Sequence, residues 1–404
     1  MRILILGINY APELTGIGKY SSEMAEWLVA AGHEVRIVTA PPYYPEWRVA
    51  AGYSAWRYCK EVRQGVSIWR CPLWVPTRPS GLKRLLHLAS FAVSSLPVML
   101  RQLFWRPDVI LAIEPPLFCA PAAWACARLS GAKVWLHVQD FEVDAAFELG
   151  ILRAQWMRST VSKLESWLMR RFDRVSTISP NMVQRLVHKN VAVEKTLLFT
   201  NWVDVDAIFP LSVPSAMRQQ LGISPNTTVA LYSGNMGEKQ GLEIVLDAAA
   251  RLVGERNIQF VLCGDGAARQ RLQQKYADLP NVLWLSLQPL ERLNDLLNMA
   301  NIHLLPQRSG AEDLVMPSKL TGMLASGRPV VATANKGTQI AEVLPDCGVV
   351  AEPDNIEQFS DAILQLSRDA GRCLAMGKQA REYALKHWAK ENVMQEFDRQ
   401  LKGL

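Results

Sequence analysis

The sequence predicts an α/β protein built from two doubly wound, Rossmann-like domains in tandem. Three observations predict it. Short apolar runs alternate with amphipathic stretches along the chain, the pattern of βαβ units on parallel sheets. The alternation breaks at the polar, proline-bearing stretch NWVDVDAIFPLSVP (201–214) and then restarts. Finally, 404 residues, 49% hydrophobic and 20% charged, suffice for two domains with a core each.

The elements follow in order. RILILGIN at the start, GHEVRIVTA (32–40), DVILAIEPP (108–116), AKVWLHVQD (132–140) and RVSTIS (174–179) read as strands of the first domain. Between the first two, Ile17, Tyr20, Met24, Trp27, Leu28 and Ala31 fall on one helical stripe. TVALYSG (228–234), IQFVLCGDG (258–266), NVLWLSL (281–287), NIHLLPQ (301–307), PVVATA (329–334) and GVVAEP (348–353) read as strands of the second. The expected domains are 1–207 and 208–387, and no short-period repeat is visible.

Composition narrows the function. Lys plus Arg number 44 against 38 Asp plus Glu. A net charge of +6 is too diffuse to argue for nucleic acid, and it suits an anionic ligand or an anionic membrane surface equally well. Seven scattered cysteines without a CxxC pair predict free thiols, with neither disulfides nor structural zinc. The opening strand is too short for a signal peptide, so a cytoplasmic chain is expected. LLHLASFAVSSLPVML (85–100) contains His87 and Pro97 and falls short of the roughly 20 apolar residues of a membrane span. It is read either as a buried helix or as one lying in the membrane interface. Arg78, Lys83 and Arg84 precede it, and a second basic, amphipathic stretch runs over 153–174. Such helices favour anionic leaflets, although an ordinary charged helix face reads the same way.

Ligands of open parallel sheets sit beyond the carboxyl ends of the strands, so the turns there carry the chemistry. In NYAPELTGIGKY (9–20), Gly16 and Gly18 precede a helix whose free N–H groups suit an anion. A plain glycine turn is the competing reading. Gly7 lies nine residues from Gly16, which is wrong for a dinucleotide fingerprint. In YSGNMGEKQGLE (232–243) the strand ends at Ser233 and Gly234, and Gly237 and Gly241 bracket Lys239. In GAEDLVMPSKLTGMLASGRPVVA, Pro317 suits a first helical turn with Ser318 and Lys319 beside it. Glu312 and Asp313 stand ahead, where carboxylates accept from sugar hydroxyls. Two lysine-bearing turns at matching places predict a shared diphosphate, and hence a nucleotide. DVD (204–206) mimics a metal-binding DxD but lies in the interdomain connection, and is read as structural.

The order of the G-I-G-K helix, GHEVRIVT, STIS, NWVDVDAIFP, YSGNMGEKQGLE, LCGDG and PSKL…SGRPVV resembles family 4 glycosyltransferases of the GT-B fold. The likeness covers almost the whole chain, and the opening forty-odd residues resemble the colanic-acid type of exopolysaccharide enzyme. The resemblance implies two domains facing across a cleft, with a C-terminal helix (about 388–404) returning to the first. It implies retaining, metal-independent sugar transfer from a nucleotide donor, GDP-fucose first and UDP-sugars next, without a cofactor. The implied acceptor is a polyprenyl-diphosphate-linked saccharide at the inner face of the cytoplasmic membrane, with no nucleic acid as partner. Lys239 and Lys319 are the implied catalytic cations. Gly16, Gly18, Ser233, Gly234, Asn235, Gly237, Gly264, Gly266, Glu312, Asp313, Pro317 and Ser318 are the implied donor contacts. His137 and Asp140 match a pair that meets the donor sugar, against a satisfied core histidine. Two positions depart from the family pattern: Gly322 replaces a ribose-binding glutamate, and Asn235 or Met236 an arginine. A nucleotide-sugar epimerase and a non-catalytic nucleotide-sugar-binding partner are the alternatives.

Overall fold

The structure, a computed structural model, describes residues 1–13, 16–77, 80–148, 155–308 and 317–404. The chain divides into two units, Met1–Thr200 with Met394–Leu404, and Asn201–Val393. The division falls before residue 207 because Val203 is hydrogen-bonded to both sides of Ala389: its N–H donates to Trp388 O at 2.8 Å, and Lys390 N–H donates to its carbonyl at 3.0 Å. Phe199, by contrast, stacks on Phe397 with ring centroids 4.2 Å apart, inside the first unit.

The first unit contains β1 (Arg2–Leu6), β2 (Glu34–Thr39), β3 (Cys59–Arg63), β4 (Val66–Arg70), β5 (Val109–Glu114), β6 (Lys133–Val138), β7 (Arg174–Thr177) and β8 (Thr196–Leu198). They form one sheet in the order β3-β4-β2-β1-β5-β6-β7-β8, in which only the β3–β4 pair is antiparallel. Ile3, Leu4, Ile5 and Leu6 are all fully buried, as expected of a parallel strand covered on both faces. Helix α1 (Gly16–Ala30) follows β1 and buries Tyr20, Met24 and Leu28, as its periodicity predicts. The β3–β4 hairpin and β8 are additions to the predicted strands.

The second unit has β9 (Thr228–Ser233), β10 (Ile258–Cys263), β11 (Val282–Leu285), β12 (Ile302–Leu305), β13 (Val330–Thr333) and β14 (Gly348–Ala351). All six are parallel, in the order β11-β10-β9-β12-β13-β14. Chain direction across the sheet reverses between β9 and β12 here, and between β1 and β5 in the first unit. A crevice opens at such a reversal, and the turns leaving those strands are where each site must be sought. All seven thiols are free.

Candidate functional site

In the second unit, three glycines let two strand-end loops cross at backbone contact. A Cβ on Gly264 (φ +145°) would lie 1.9 Å from Gly234 O, and one on Gly266 (φ +152°) 2.6 Å from the Met236 carbonyl. Gly234 N–H donates to Cys263 O at 2.9 Å and Met236 N–H to Asp265 O at 2.7 Å. Gly234, Gly264 and Gly266 thus shape the loop floor whatever binds above it. The Lys319 side chain lies on this floor, its Cδ 3.6 Å from where a Gly234 Cβ would be. Its Nζ sits 4.3 Å from the centroid of the Tyr232 ring. The Tyr232 hydroxyl donates to Asn235 O at 2.5 Å, tying the ring to the loop it supports.

Lys319 is partly buried, and burial lowers its pKa from the ordinary lysine value to about 7. Among the described residues no carboxylate lies within ion-pair distance of it. An ammonium desolvated on an aromatic face without a counter-ion has its electrostatic demand unmet, and an anionic ligand would meet it. Its position is fixed from behind. The helix Lys319–Ala325 ends where Arg381 donates to Ala325 O at 2.9 Å and to Ile208 O at 2.7 Å.

Of the other predicted donor residues, Ser233 ends β9, and Asn235 Nδ2 lies 3.3 Å from a Gly237 Cβ position. Pro317 and Ser318 immediately precede the Lys319 helix. The backbone of Lys239 forms a short 3-10 turn, Glu238–Gln240, closed by Gly241 at φ +64°; its side chain lies outside the described residues, as do Glu312 and Asp313. Around that turn, Arg271 bridges Glu238 and Glu243 at 2.7 Å each, and Arg308 reaches Glu243 at 3.0 Å. Burial alone would raise the Glu243 pKa, but the bonds from Arg271 and Arg308 hold it down at about 2.

The first unit presents a different chemistry at its own reversal. Glu13, which no motif of the sequence singles out, is 6% exposed. One carboxylate oxygen accepts from the backbone N–H groups of Tyr43 and Tyr44 at 2.9 and 3.0 Å, and the other from Asn9 at 2.8 Å. Burial outweighs these donors and raises its pKa. Gly18 has a packing reason to be glycine, since a Cβ there would stand 2.8 Å from Glu13 Oε2; Gly16 adopts φ +58° as α1 begins. Arg70, buried, donates to Ala11 O at 2.5 Å and Ala40 O at 2.9 Å and pairs with Glu61 at 2.6 Å, fixing the same turn.

His137 is buried on β6, its Nδ1 2.9 Å from Ser176 Oγ and its Nε2 2.9 Å from Gln139 Nε2. Burial lowers its pKa to about 3, so the imidazole is neutral, and Phe199 packs on it at 4.9 Å. This is the environment of a core histidine. Asp140, two residues beyond β6, is partly buried. At DVD, Asp204 accepts the N–H groups of Asp206 and Ala207 at 3.0 Å each, a turn-capping role. Among the described residues no group of three His, Cys, Asp or Glu side chains is arranged to hold a metal.

Residues 15–202 match the model of the glycosyl transferase 4-like domain, and residues 215–383 that of the glycosyl transferases group 1. Over the full length of both chains, the sequence is 44% identical to the putative colanic acid biosynthesis glycosyl transferase WcaI of Escherichia coli K12. The chain belongs to the family 4-type glycosyltransferases. Solved structures agree on a GT-B fold: sucrose-phosphate synthase of Thermosynechococcus elongatus superposes with a TM-score of 0.77 at 17% identity, covering 100% of this chain and 98% of that one. HepE of Anabaena in complex with UDP gives 0.72 at 15% identity with complete coverage of both. In this glycosyltransferase Gly322 sits mid-helix, where a Cβ would meet only Leu297 Cδ1 at 3.5 Å. That is ordinary contact, so packing does not dictate the glycine.

Proposed function

We propose that this glycosyltransferase moves a sugar from a nucleoside diphosphate donor, with retention and without a metal, to a polyprenyl-diphosphate-linked saccharide in exopolysaccharide synthesis of the colanic-acid type. GDP-fucose is the first donor and UDP-sugars the second. The observation that carries the reading is the ammonium of Lys319, without a counter-ion among the described residues and held on the Tyr232 ring over Gly234 at the strand reversal of the second unit. A leaving nucleoside diphosphate gains negative charge as the glycosidic bond breaks. A cation already partly desolvated stabilises that charge most where it develops. Lys239, on the neighbouring turn, supplies the second cation, and backbone N–H groups of the glycine loop the remaining donors. With the leaving group so held, the acceptor hydroxyl attacks from the face the diphosphate leaves, through an oxocarbenium-like state that requires no protein nucleophile.

The resemblance to the Escherichia coli chain supports a place in colanic-acid-type synthesis, and reaction on a lipid-linked acceptor would put the enzyme at the inner face of the cytoplasmic membrane. The test is a panel of GDP- and UDP-sugars incubated with lipid-linked glucose or galactose, scored by the mass of the lipid. GDP-fucose should add one deoxyhexose. Donor consumed without any gain on the lipid would replace transfer with donor isomerisation or hydrolysis, and no reaction with any donor would end the reading.

A further inference from the structure

Helix α2 (Gly81–Gln102) is apolar on two opposite faces. One buries His87, Phe91, Ser95, Val98, Met99 and Gln102 in the first unit. Opposite it, Leu82, Leu86, Val93, Leu96, Leu100 and, just past the helix, Phe104 are exposed, from 42% at Leu96 to 92% at Phe104. At 100° per residue these six fall within about 80° of one another, a single stripe roughly 33 Å long. Exposed aromatic side chains border it. Tyr58 donates its hydroxyl to Ser94 O at 2.9 Å, and Trp74 N–H donates to Ser90 Oγ at 3.1 Å, so both lie along one flank.

Charge is distributed just as unevenly. Between Glu61 and Asp108 the sequence has no acidic residue and seven basic ones, which exceeds the net +6 of the whole chain. Lys83 and Arg84 stand exposed at one end of the stripe, Arg101 and Arg106 at the other. None of the four is ion-paired to a carboxylate among the described residues. By length and composition Gly81–Trp105 is apolar enough to cross a membrane, but its inner face is embedded in the unit, so the helix cannot leave to span one.

We infer that the outer face of α2 lies in the headgroup region of an anionic bilayer. Its leucine and phenylalanine stripe sinks into the acyl boundary, and Lys83, Arg101 and Arg106 contact lipid phosphates, while Arg84 lies over the Trp47 ring. An amphipathic helix binds a membrane surface in this manner, with basic ends and aromatic side chains at headgroup depth. A protein partner would be expected to answer an apolar stripe with its own, whereas an unpaired cationic rim around it is answered by a surface both greasy and anionic. The inference names the docking surface for the lipid-linked acceptor, and for that purpose it rests on the function proposed above; its physics does not.

The test is flotation of the full chain with vesicles of phosphatidylcholine, with and without phosphatidylglycerol, beside a variant carrying Leu86→Ser, Val93→Ser and Leu96→Ser. A second variant carries Lys83→Gln and Arg101→Gln. The native chain should bind anionic vesicles at least tenfold tighter than neutral ones. The serine variant should lose on the order of tenfold, and the glutamine variant about fivefold per charge. Circular dichroism and donor turnover with a detergent-dispersed acceptor should be unchanged, which separates failure of docking from failure of the enzymatic reading. Absence of binding to anionic vesicles overturns the inference, as does undiminished binding by the serine variant. So does a native dimer that the serine substitutions dissociate, which would assign the stripe to a second copy.

Discussion

The two units share a doubly wound topology and differ in the charge each places at its strand reversal. In the first, carboxylates gather and are buried. Glu13 is saturated by backbone and amide donors, and Glu114 ends β5 fully buried, with neither oxygen hydrogen-bonded among the described residues. Burial and the neighbouring Glu165 and Glu142 push its pKa well up. In the second, the corresponding place holds an ammonium on the Tyr232 ring, with no counter-ion among the described residues. One topology thus supplies two electrostatic environments. Residue choice at a few turn positions makes the distinction, since the sheets alone do not.

The largest expected effect breaks the second environment. Lys319→Ala should lower kcat/KM for the donor by on the order of 100- to 1000-fold, as for loss of one oxyanion-stabilising group, with the melting temperature preserved. A variant with native kinetics would remove the cation from the chemistry. The native enzyme should also show the titration of this group. Its pKa near 7 means that Lys319 is charged below pH 7 and neutral above. Donor kcat/KM, which reports the free enzyme, should therefore fall about tenfold per pH unit above 7 and be flat below it. A profile flat to pH 9 would contradict the assignment.

Next comes the loop floor. Gly264→Ala puts a Cβ 1.9 Å from Gly234 O at φ +145°, a backbone region nearly closed to other residues. Unfolding free energy should drop by about 3 kcal/mol or more, seen in urea melts. A near-native melt would mean that the two loops are not in backbone contact.

The first environment is tested through stability. Glu142 is partly buried, with Leu117 N–H donating to it at 2.8 Å, and desolvation raises its pKa to about 7 against an ordinary 4.5. Between those values the folded state binds the proton and the unfolded chain does not, so stability falls as pH rises from about 4.5 to about 7. Glu142→Gln keeps an acceptor for Leu117 and removes the titration. It should flatten that slope, by at most on the order of 3 kcal/mol across the window. An unchanged slope would relocate the titrating group, with Glu114 and Glu165 next to examine.

Which features were legible follows from how local their causes are. Parallel strands announce themselves as short, mainly apolar runs separated by helical stretches, so β1, β2, β5, β6, β7 and all six strands of the second unit were readable. The edge strand β3, CKEVR, is largely exposed and carries no apolar run, and β8 is three residues long; neither leaves a signal. The place of Lys319 at a helix start was readable because a lysine beside Pro317 at a strand-to-helix turn is itself the motif. Glu13 was not, because its Tyr43 and Tyr44 donors come from thirty residues away and only the fold turns an ordinary loop carboxylate into a buried one. His137 shows the converse: a histidine at a strand end matched a family pair, and only its contacts with Ser176 and Phe199 reveal the core environment.

The smallest effect sharpens the comparison most, because it separates the cation from its support. Tyr232 does two things: its ring faces the Lys319 ammonium, and its hydroxyl ties the ring to Asn235 O. Tyr232→Phe keeps the first and removes the second. If the ring is what keeps water from the ammonium, the midpoint of the donor pH profile should stay near 7, while loss of one hydrogen bond, worth about 1 kcal/mol, raises the donor KM roughly fivefold. If instead the midpoint climbs toward the ordinary lysine range, the hydroxyl tether is what keeps the ring seated. The unusual cation would then depend on the loop as much as on the aromatic face beneath it.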